Sequence, residues 1–260
     1  MNDILLSFVL GLVQGLTEFL PISSSAHLLF PTLIFGSNDL GLYFDISVHA
    51  GTLIAVIYYF RNEIFLMSKS LLVSNNFNED KNIAIQLIIA TIPIVILGFI
   101  FRDLISQRIF SINDIAISNL IFASILLFAF LNNKGKKTLI NITILGACFI
   151  GLFQCFALIP GASRSGAAIT AGLLIGLSLK DASKFAFLLA IPTILGALTL
   201  LIFDLNNGNV SFDLLNISIG FFTSMIFAFF TIKLFLKLVE KIGMIPVSYT
   251  HLTLPTKDSV

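Results

Sequence analysis

The sequence predicts an all-α polytopic membrane protein, built as an inverted-topology repeat with two re-entrant helix–loop–helix hairpins and five to six spanning helices. Its composition is the first observation behind this prediction: 57% of the 260 residues are hydrophobic and 11% are charged, against about 25% charged in soluble domains. The mean hydropathy is +1.01. A net charge of +1 supplies no basic field for a polyanion. These values exclude a soluble enzyme and a nucleic-acid-binding protein.

The second observation is the length of the apolar segments, because a membrane-spanning helix needs about 20 mostly apolar residues. Five segments meet this requirement: 44–60, 83–101, 112–131, 185–203 and 212–232. The third observation is that two further apolar regions, 4–35 and 139–179, are each interrupted by a proline followed by serine and small residues. Interrupted helices are tolerated at membrane depth only where they are buried in protein or line a wet cavity. We therefore interpret both regions as re-entrant hairpins.

The two interrupted regions resemble each other in sequence. Gly-Leu-Val-Gln at 11–14 matches Gly-Leu-Phe-Gln at 151–154, and a proline with a serine three residues later follows each. This pattern predicts an internal repeat of roughly 140 residues, whose halves enter the membrane from opposite faces because three spans separate the hairpins. We predict one membrane domain over 1–245, with repeat one at about 1–131 and repeat two at about 139–245.

The last residues, 246–260, differ in character from the rest of the chain. They are polar, rich in threonine and broken by a proline. They look like a translated adapter sequence more than a membrane helix, and we expect them not to be native. We therefore leave them out of the fold and the site.

The distribution of charge predicts the orientation in the membrane. The loops on one predicted face contain many lysines, whereas Arg102 and Arg108 are the only basic residues in the loops of the other face. The lysine-rich face is cytoplasmic by the positive-inside rule. The first hairpin then opens toward the outside.

Ionisable residues inside apolar segments are costly and are functional candidates by default. In the first hairpin, Gln14 and Glu18 are four residues apart and share a helix face, and Ser24 and His27 share a face after Pro21. A serine hydroxyl becomes a nucleophile when a neighbouring base takes its proton. Glu18 or His27 could be that base and the other could protonate the leaving group, so both assignments stay open.

The second hairpin has the composition of an anion site. Its tip contains Gly161, Ser163, Arg164 and Ser165, and a helix is predicted to begin there. Free N–H groups at a helix start attract anions, and a guanidinium matches phosphate oxygens with two parallel donors. If the two tips meet, one would bind a phosphate that the other attacks.

Structural alternatives exist for several of these residues. Ser23 could serve helix packing as well as phosphate binding, and Glu18 with Arg164 could form a purely structural ion pair. Asp45 and His49 are weaker candidates, for which helix capping or contacts at the rim of the site are the first interpretation. The two cysteines, at 148 and 155, have neither disulfide nor metal spacing.

At these motifs the chain resembles the undecaprenyl-diphosphatase family, the bacitracin-resistance proteins of bacterial inner membranes. The resemblance runs from residue 1 to about 245. The residues that match the two family motifs are Gln14, Glu18, Pro21, Ser23, Ser24 and His27 in the first, and Pro160, Gly161, Ser163, Arg164 and Ser165 in the second. Two positions depart from the family pattern: Ala168 stands where the second motif ends in Thr, with Thr170 two residues on, and Gln14 replaces the commoner Glu.

The resemblance implies hydrolysis of a polyprenyl diphosphate lipid carrier to the monophosphate, which recycles the carrier for peptidoglycan synthesis and confers bacitracin resistance. It implies Ser24 as nucleophile, Glu18 and His27 as base and acid, and Arg164 as a catalytic clamp, with Gln14, Ser23, Gly161, Ser163 and Ser165 around the phosphates. We expect no fixed metal site, and a divalent cation (Mg²⁺ or Ca²⁺) would come with the diphosphate.

Several points remain open from the sequence. The expected location is the bacterial inner membrane, among membrane lipids and without nucleic acid, and self-association into a homo-oligomer is left open. The alternative function is a transporter or flippase for a phosphorylated lipid carrier, because inverted repeats with broken helices are also a transporter design.

Overall fold

The computed structural model of the protein describes residues 2–73, 78–101, 111–133, 135, 137–205 and 213–242. Within these residues the chain forms ten α-helices, which confirms the all-α prediction, and two short 3₁₀ turns, Leu139–Asn141 and Cys155–Leu158. The helices are α1 (Asp3–Thr17), α2 (Ser24–Phe35), α3 (Leu42–Tyr59), α4 (Arg61–Val73), α5 (Glu79–Ile100), α6 (Ile112–Asn132), α7 (Ile144–Gln154), α8 (Arg164–Leu174), α9 (Leu179–Leu205) and α10 (Leu214–Ile242).

Four of the described helices, α5, α6, α9 and α10, are long and apolar enough to cross a membrane. The protein is therefore a multi-pass membrane protein. The fifth predicted span, 44–60, lies in α3, but the chain bends by 76° near Phe60 and continues as α4. Helix α4 was not predicted from the sequence, because the apolar run stops at Arg61 and the helix consists of short polar and apolar blocks.

Two of the long helices extend beyond the predicted apolar segments. Helix α9 begins six residues before the predicted start at 185, and α10 continues ten residues past the predicted end at 232. Both extensions carry charged side chains, such as Lys180 and Glu240, whose side chains form an exposed ion pair at 2.5 Å. Apolar segments mark the part of a helix in hydrocarbon, and the helix itself runs on into the polar interface.

Both interrupted regions are hairpins of two helices. The first consists of α1 and α2 around a tip at 18–23, and the second consists of α7, the Cys155–Leu158 turn, a tip at 159–163 and α8. A serine caps the second helix of each hairpin: the Ser23 hydroxyl accepts the N–H of Ala26 at 3.4 Å, and the Ser163 hydroxyl accepts that of Gly166 at 3.1 Å. These caps satisfy donors that the first turn of a helix leaves without partners.

The hairpins pack against long helices of the opposite predicted repeat. A Cβ atom on Gly11 in α1 would lie 2.8 Å from the Gly220 carbonyl oxygen in α10, and one on Gly151 in α7 would lie 2.5 Å from the Ala90 carbonyl oxygen in α5. Both matching Gly-Leu-x-Gln motifs therefore bring two helix backbones together, as small residues do in membrane helix pairs.

This exchange of partners is what an inverted repeat would produce, but the repeat and its domain bounds stay predictions. So do the depth of the hairpins in the membrane and the orientation of the chain. Arg102, Arg108 and the tail at 246–260 lie outside the described residues.

Helix α8 is buried along most of its length. Its residues from Ser165 to Leu173 are all buried, and α6, α7 and α9 pack around it. Because a buried, close-packed helix has little freedom to shift, α8 holds the residue at its N-terminus in a fixed position.

Candidate active site

The two hairpin tips meet at the carboxylate of Glu18. This residue follows the last turn of α1 and is 7% exposed. Its Oε1 accepts a hydrogen bond from Arg164 Nη2 at 2.5 Å, and its Oε2 accepts one from Ser24 Oγ at 2.8 Å. The prediction that the tips come together is thus confirmed, and one carboxylate joins the serine of the first tip to the guanidinium of the second.

Gln14 supports this carboxylate from one turn earlier in α1. Its Nε2 donates to Glu18 Oε2 at 2.8 Å, as the spacing of four residues predicted. The side chain is completely buried, and its Oε1 has no hydrogen-bond partner among the described residues. Gln14 therefore helps to fix the rotamer of Glu18 and keeps one acceptor unused beside it.

Ser24 has the geometry of a nucleophile beside its base. It is the first residue of α2, it is half-buried, and its hydroxyl proton points at Glu18. A distance of 2.8 Å lies within the range in which a carboxylate can take a proton from a hydroxyl group. The hydroxyl is thus oriented before any substrate binds.

Arg164 binds Glu18 with only one of its two terminal nitrogens. It is the first residue of α8, and its side chain is 14% exposed. Nη1 is buried and has no hydrogen-bond partner among the described residues. A buried charged donor without an acceptor is costly, so this nitrogen is suited to an anionic oxygen at the junction of the tips.

The two serines of the second tip hold the hairpins together. Ser165 Oγ donates to the Leu20 carbonyl oxygen at 2.6 Å, Ser163 Oγ lies 3.4 Å from the same oxygen, and the two hydroxyls are 3.0 Å apart. The roles of both serines in phosphate binding stay predictions, and they would require these hydroxyls to exchange partners.

Gly161 and Ser23 shape the backbone of the tips. Gly161 has a φ of +96°, and a Cβ atom there would lie 2.5 Å from the Ile115 carbonyl oxygen of α6. Only glycine meets both conditions without strain. Ser23 is buried and caps α2, and its hydroxyl lies 3.1 Å from that of Ser25. Direct contacts of either residue with phosphate stay predictions.

In the described part of the chain, His27 forms no hydrogen bond with Ser24 or Glu18, the residues with which it was grouped from the sequence. Its Nδ1 donates to the Ser23 carbonyl oxygen at 2.6 Å, and its ring meets Phe30 edge-on at 5.5 Å between centroids. Its role as proton donor stays a prediction.

The imidazole that does approach Glu18 comes from α3. His49 Nε2 lies 3.9 Å from Glu18 Oε2. The sequence analysis noted His49 only as a weak candidate, because the contact joins two helices and no spacing within one helix reveals it. The available signal was an ionisable residue in an otherwise apolar segment.

A fixed metal ion does not fit the donors at this junction. Among the described residues, no group of three or more His, Cys, Asp or Glu side chains could hold one. The carboxylate present is already bonded to a guanidinium. We therefore derive no step that involves a resident metal.

The Thr at 170 does not replace the hydroxyl that is absent at Ala168. Thr170 Oγ1 donates to the Gly166 carbonyl oxygen at 2.7 Å, and the residue is 2% exposed inside α8. Its hydroxyl is hydrogen-bonded within α8 and does not reach the tip.

Comparison with known proteins identifies the family of the chain. The chain is 44% identical over 243 residues to a protein of Alcanivorax borkumensis named undecaprenyl-diphosphatase, and the match covers 92% of each chain. Residues 7–255 match the family described as bacitracin resistance protein BacA. The chain belongs to the bacitracin resistance protein BacA family.

Proposed function

We propose that this protein is an undecaprenyl-diphosphate phosphatase, which hydrolyses the polyprenyl diphosphate carrier to the monophosphate and inorganic phosphate. The observation that carries the proposal is a serine hydroxyl bonded to a carboxylate whose other oxygen holds a guanidinium. The relative from A. borkumensis carries the name of this activity. In a bacterial inner membrane, the reaction recycles the lipid carrier for peptidoglycan synthesis and confers resistance to bacitracin.

The first chemical step is an attack by Ser24. Its oxygen forms a bond to the terminal phosphorus of the diphosphate, and the bond from that phosphorus to the bridging oxygen breaks. Glu18 accepts the hydroxyl proton through the existing 2.8 Å hydrogen bond. The products of this step are a phosphoserine and the polyprenyl monophosphate.

Arg164 stabilises the charge on the transferred group. Its Nη1 is available to a phosphoryl oxygen, while Nη2 stays on Glu18. A donor that is already in place costs no reorganisation during the reaction, and removing one such donor typically costs about 3 kcal/mol of transition-state stabilisation. The N-terminus of α8, where Arg164 lies, adds a favourable dipole for the same anion.

Water completes the reaction by attacking the phosphoserine, and the Ser24 oxygen leaves with a proton. The hydrogen bond from Ser24 supports Glu18 as the base of the first step, and His27 is left as the candidate acid for the leaving group. A divalent cation bound to the diphosphate would neutralise part of the negative charge that Arg164 otherwise stabilises alone.

The test is phosphate release from a polyprenyl diphosphate by the detergent-solubilised protein. Ser24→Ala is expected to lower the rate at least about a thousandfold. Ser25→Ala is expected to retain it, since Ser25 is exposed and its hydroxyl bonds, within the described part of the chain, only to Ser23. Substrate binding should persist in both variants. Release by Ser24→Ala at the unmutated rate would contradict the proposal, and so would transport of an intact diphosphate without hydrolysis.

A further inference from the structure

His49 has a ring orientation that its own helix sets. Nδ1 lies 2.7 Å from the Asp45 carbonyl oxygen one turn earlier in α3. A carbonyl oxygen can only accept, so Nδ1 carries a proton. In the neutral ring Nε2 therefore has a lone pair, and Nε2 is the nitrogen that faces Glu18.

The oxygen that His49 faces is the one that would take the proton from Ser24. Glu18 Oε2 accepts from both Ser24 and Gln14, and His49 Nε2 lies 3.9 Å away. That separation is longer than a hydrogen bond, but it closes with a small side-chain shift or one bridging water, as catalytic contacts often do when substrate binds. The His49 side chain is 28% exposed, so its ring is not enclosed by the protein.

The charges around Glu18 favour onward transfer of the proton. A protonated Glu18 would lose its ion pair with Arg164, which is costly in a buried site. If the proton passes to His49, the carboxylate recovers its charge between two cations.

We infer that His49 is a proton relay for Glu18. This inference rests on the proposed function. When Ser24 attacks phosphorus, its proton moves to Glu18 Oε2 and from there to His49 Nε2, and the resulting imidazolium releases it to water. The same pair then accepts a proton from the water that attacks the phosphoserine, and Glu18 returns one proton to the Ser24 oxygen as the bond between that oxygen and phosphorus breaks. No redox step or further reactant is needed.

The experiment compares steady-state phosphate release from a polyprenyl diphosphate by four proteins in detergent: the unmutated protein, His49→Gln, His49→Ala and Ser47→Ala. His49→Gln keeps a polar side chain but cannot take up a proton, so we expect kcat to fall about tenfold or more with KM nearly unchanged. His49→Ala should recover activity when imidazole is added. Ser47→Ala is the matched control, because its hydroxyl lies in the same helix and bonds, among the described residues, only to the Phe44 carbonyl oxygen.

The outcomes separate the two proposals. An unchanged kcat in His49→Gln, or a raised KM with unchanged kcat, would overturn the relay and leave the proposed function standing. Failure of imidazole to raise the activity of His49→Ala, in a protein with an unmutated melting temperature, would also overturn it. An unmutated protein that releases no phosphate would overturn the proposed function and the relay together.

Discussion

The two hairpins carry the same short motif but differ one turn later. In the first hairpin the glutamine of the motif, Gln14, is followed after four residues by Glu18, and the two side chains are hydrogen-bonded. In the second hairpin Gln154 is followed after four residues by Leu158, and neither polar atom of the buried Gln154 amide has a partner among the described residues. Only the first of the two similar hairpins therefore has a carboxylate with a glutamine amide bonded to it.

The difference indicates that the two hairpins contribute different functional groups to the site. In the proposed mechanism, the first tip supplies the carboxylate and the hydroxyl that act on the reacting bond, and the second supplies Arg164 at a helix N-terminus. Each tip lacks what the other provides, so the site exists only at their junction. The variants below test this division at Arg164, at the turn that places it, and at the two glutamines.

The largest expected effect is at Arg164. Arg164→Lys keeps the charge but loses the planar fork that can hold Glu18 and a phosphoryl oxygen at the same time. We expect kcat/KM for phosphate release to fall at least about a hundredfold. The matched control is Arg61→Lys, because Arg61 is exposed, lies over the Tyr58 ring and is remote from the tips along the chain. A smaller loss in Arg164→Lys than in Arg61→Lys would contradict the assignment.

The sequence alone was sufficient for the contacts of this site that lie within one helix or at its start. The Gln14–Glu18 contact follows from helix periodicity, and the serine caps follow from the preference of helix starts for hydroxyl side chains. Likewise, the four long spans follow from the lengths of the apolar runs. Local rules apply because backbone geometry alone determines which of these side chains meet.

Contacts between helices were harder to predict. His49 reaches Glu18 from α3, and the Ser165 hydroxyl binds the Leu20 carbonyl oxygen across 145 residues. Both contacts depend on how α3 and α8 pack, which composition and spacing do not determine. The sequence analysis therefore grouped His27 with Glu18, since it is near in the chain, and gave His49 less weight.

An intermediate effect is expected at the turn of the second tip. Gly161→Ala would force a side chain onto a φ of +96° and against the Ile115 carbonyl oxygen. We expect the free energy of unfolding to fall by at least about 2 kcal/mol, visible as a lower melting temperature in detergent. Gly36→Ala is the control, because its φ is also positive but no atom of the described residues lies within 4 Å of the added Cβ. This substitution should cost about 1 kcal/mol. Equal losses of unfolding free energy in the two variants would mean that the close contact with α6 does not add to the cost of Gly161→Ala.

The smallest effects, and the most direct test of the comparison between the hairpins, come from making the same change in both motifs. Gln14→Leu removes a donor from Glu18, so we expect phosphate release to fall about tenfold, the loss typical of one hydrogen bond to a charged group. Gln154→Leu removes a buried amide without partners, and we expect activity within twofold of the unmutated protein and an equal or higher melting temperature, because the desolvation cost of that amide disappears. Activity and melting curves measured on the same preparations separate catalytic from structural loss. If Gln154→Leu lost as much activity as Gln14→Leu, the glutamines of both hairpins would support the reaction equally and the proposed division between the tips would be wrong.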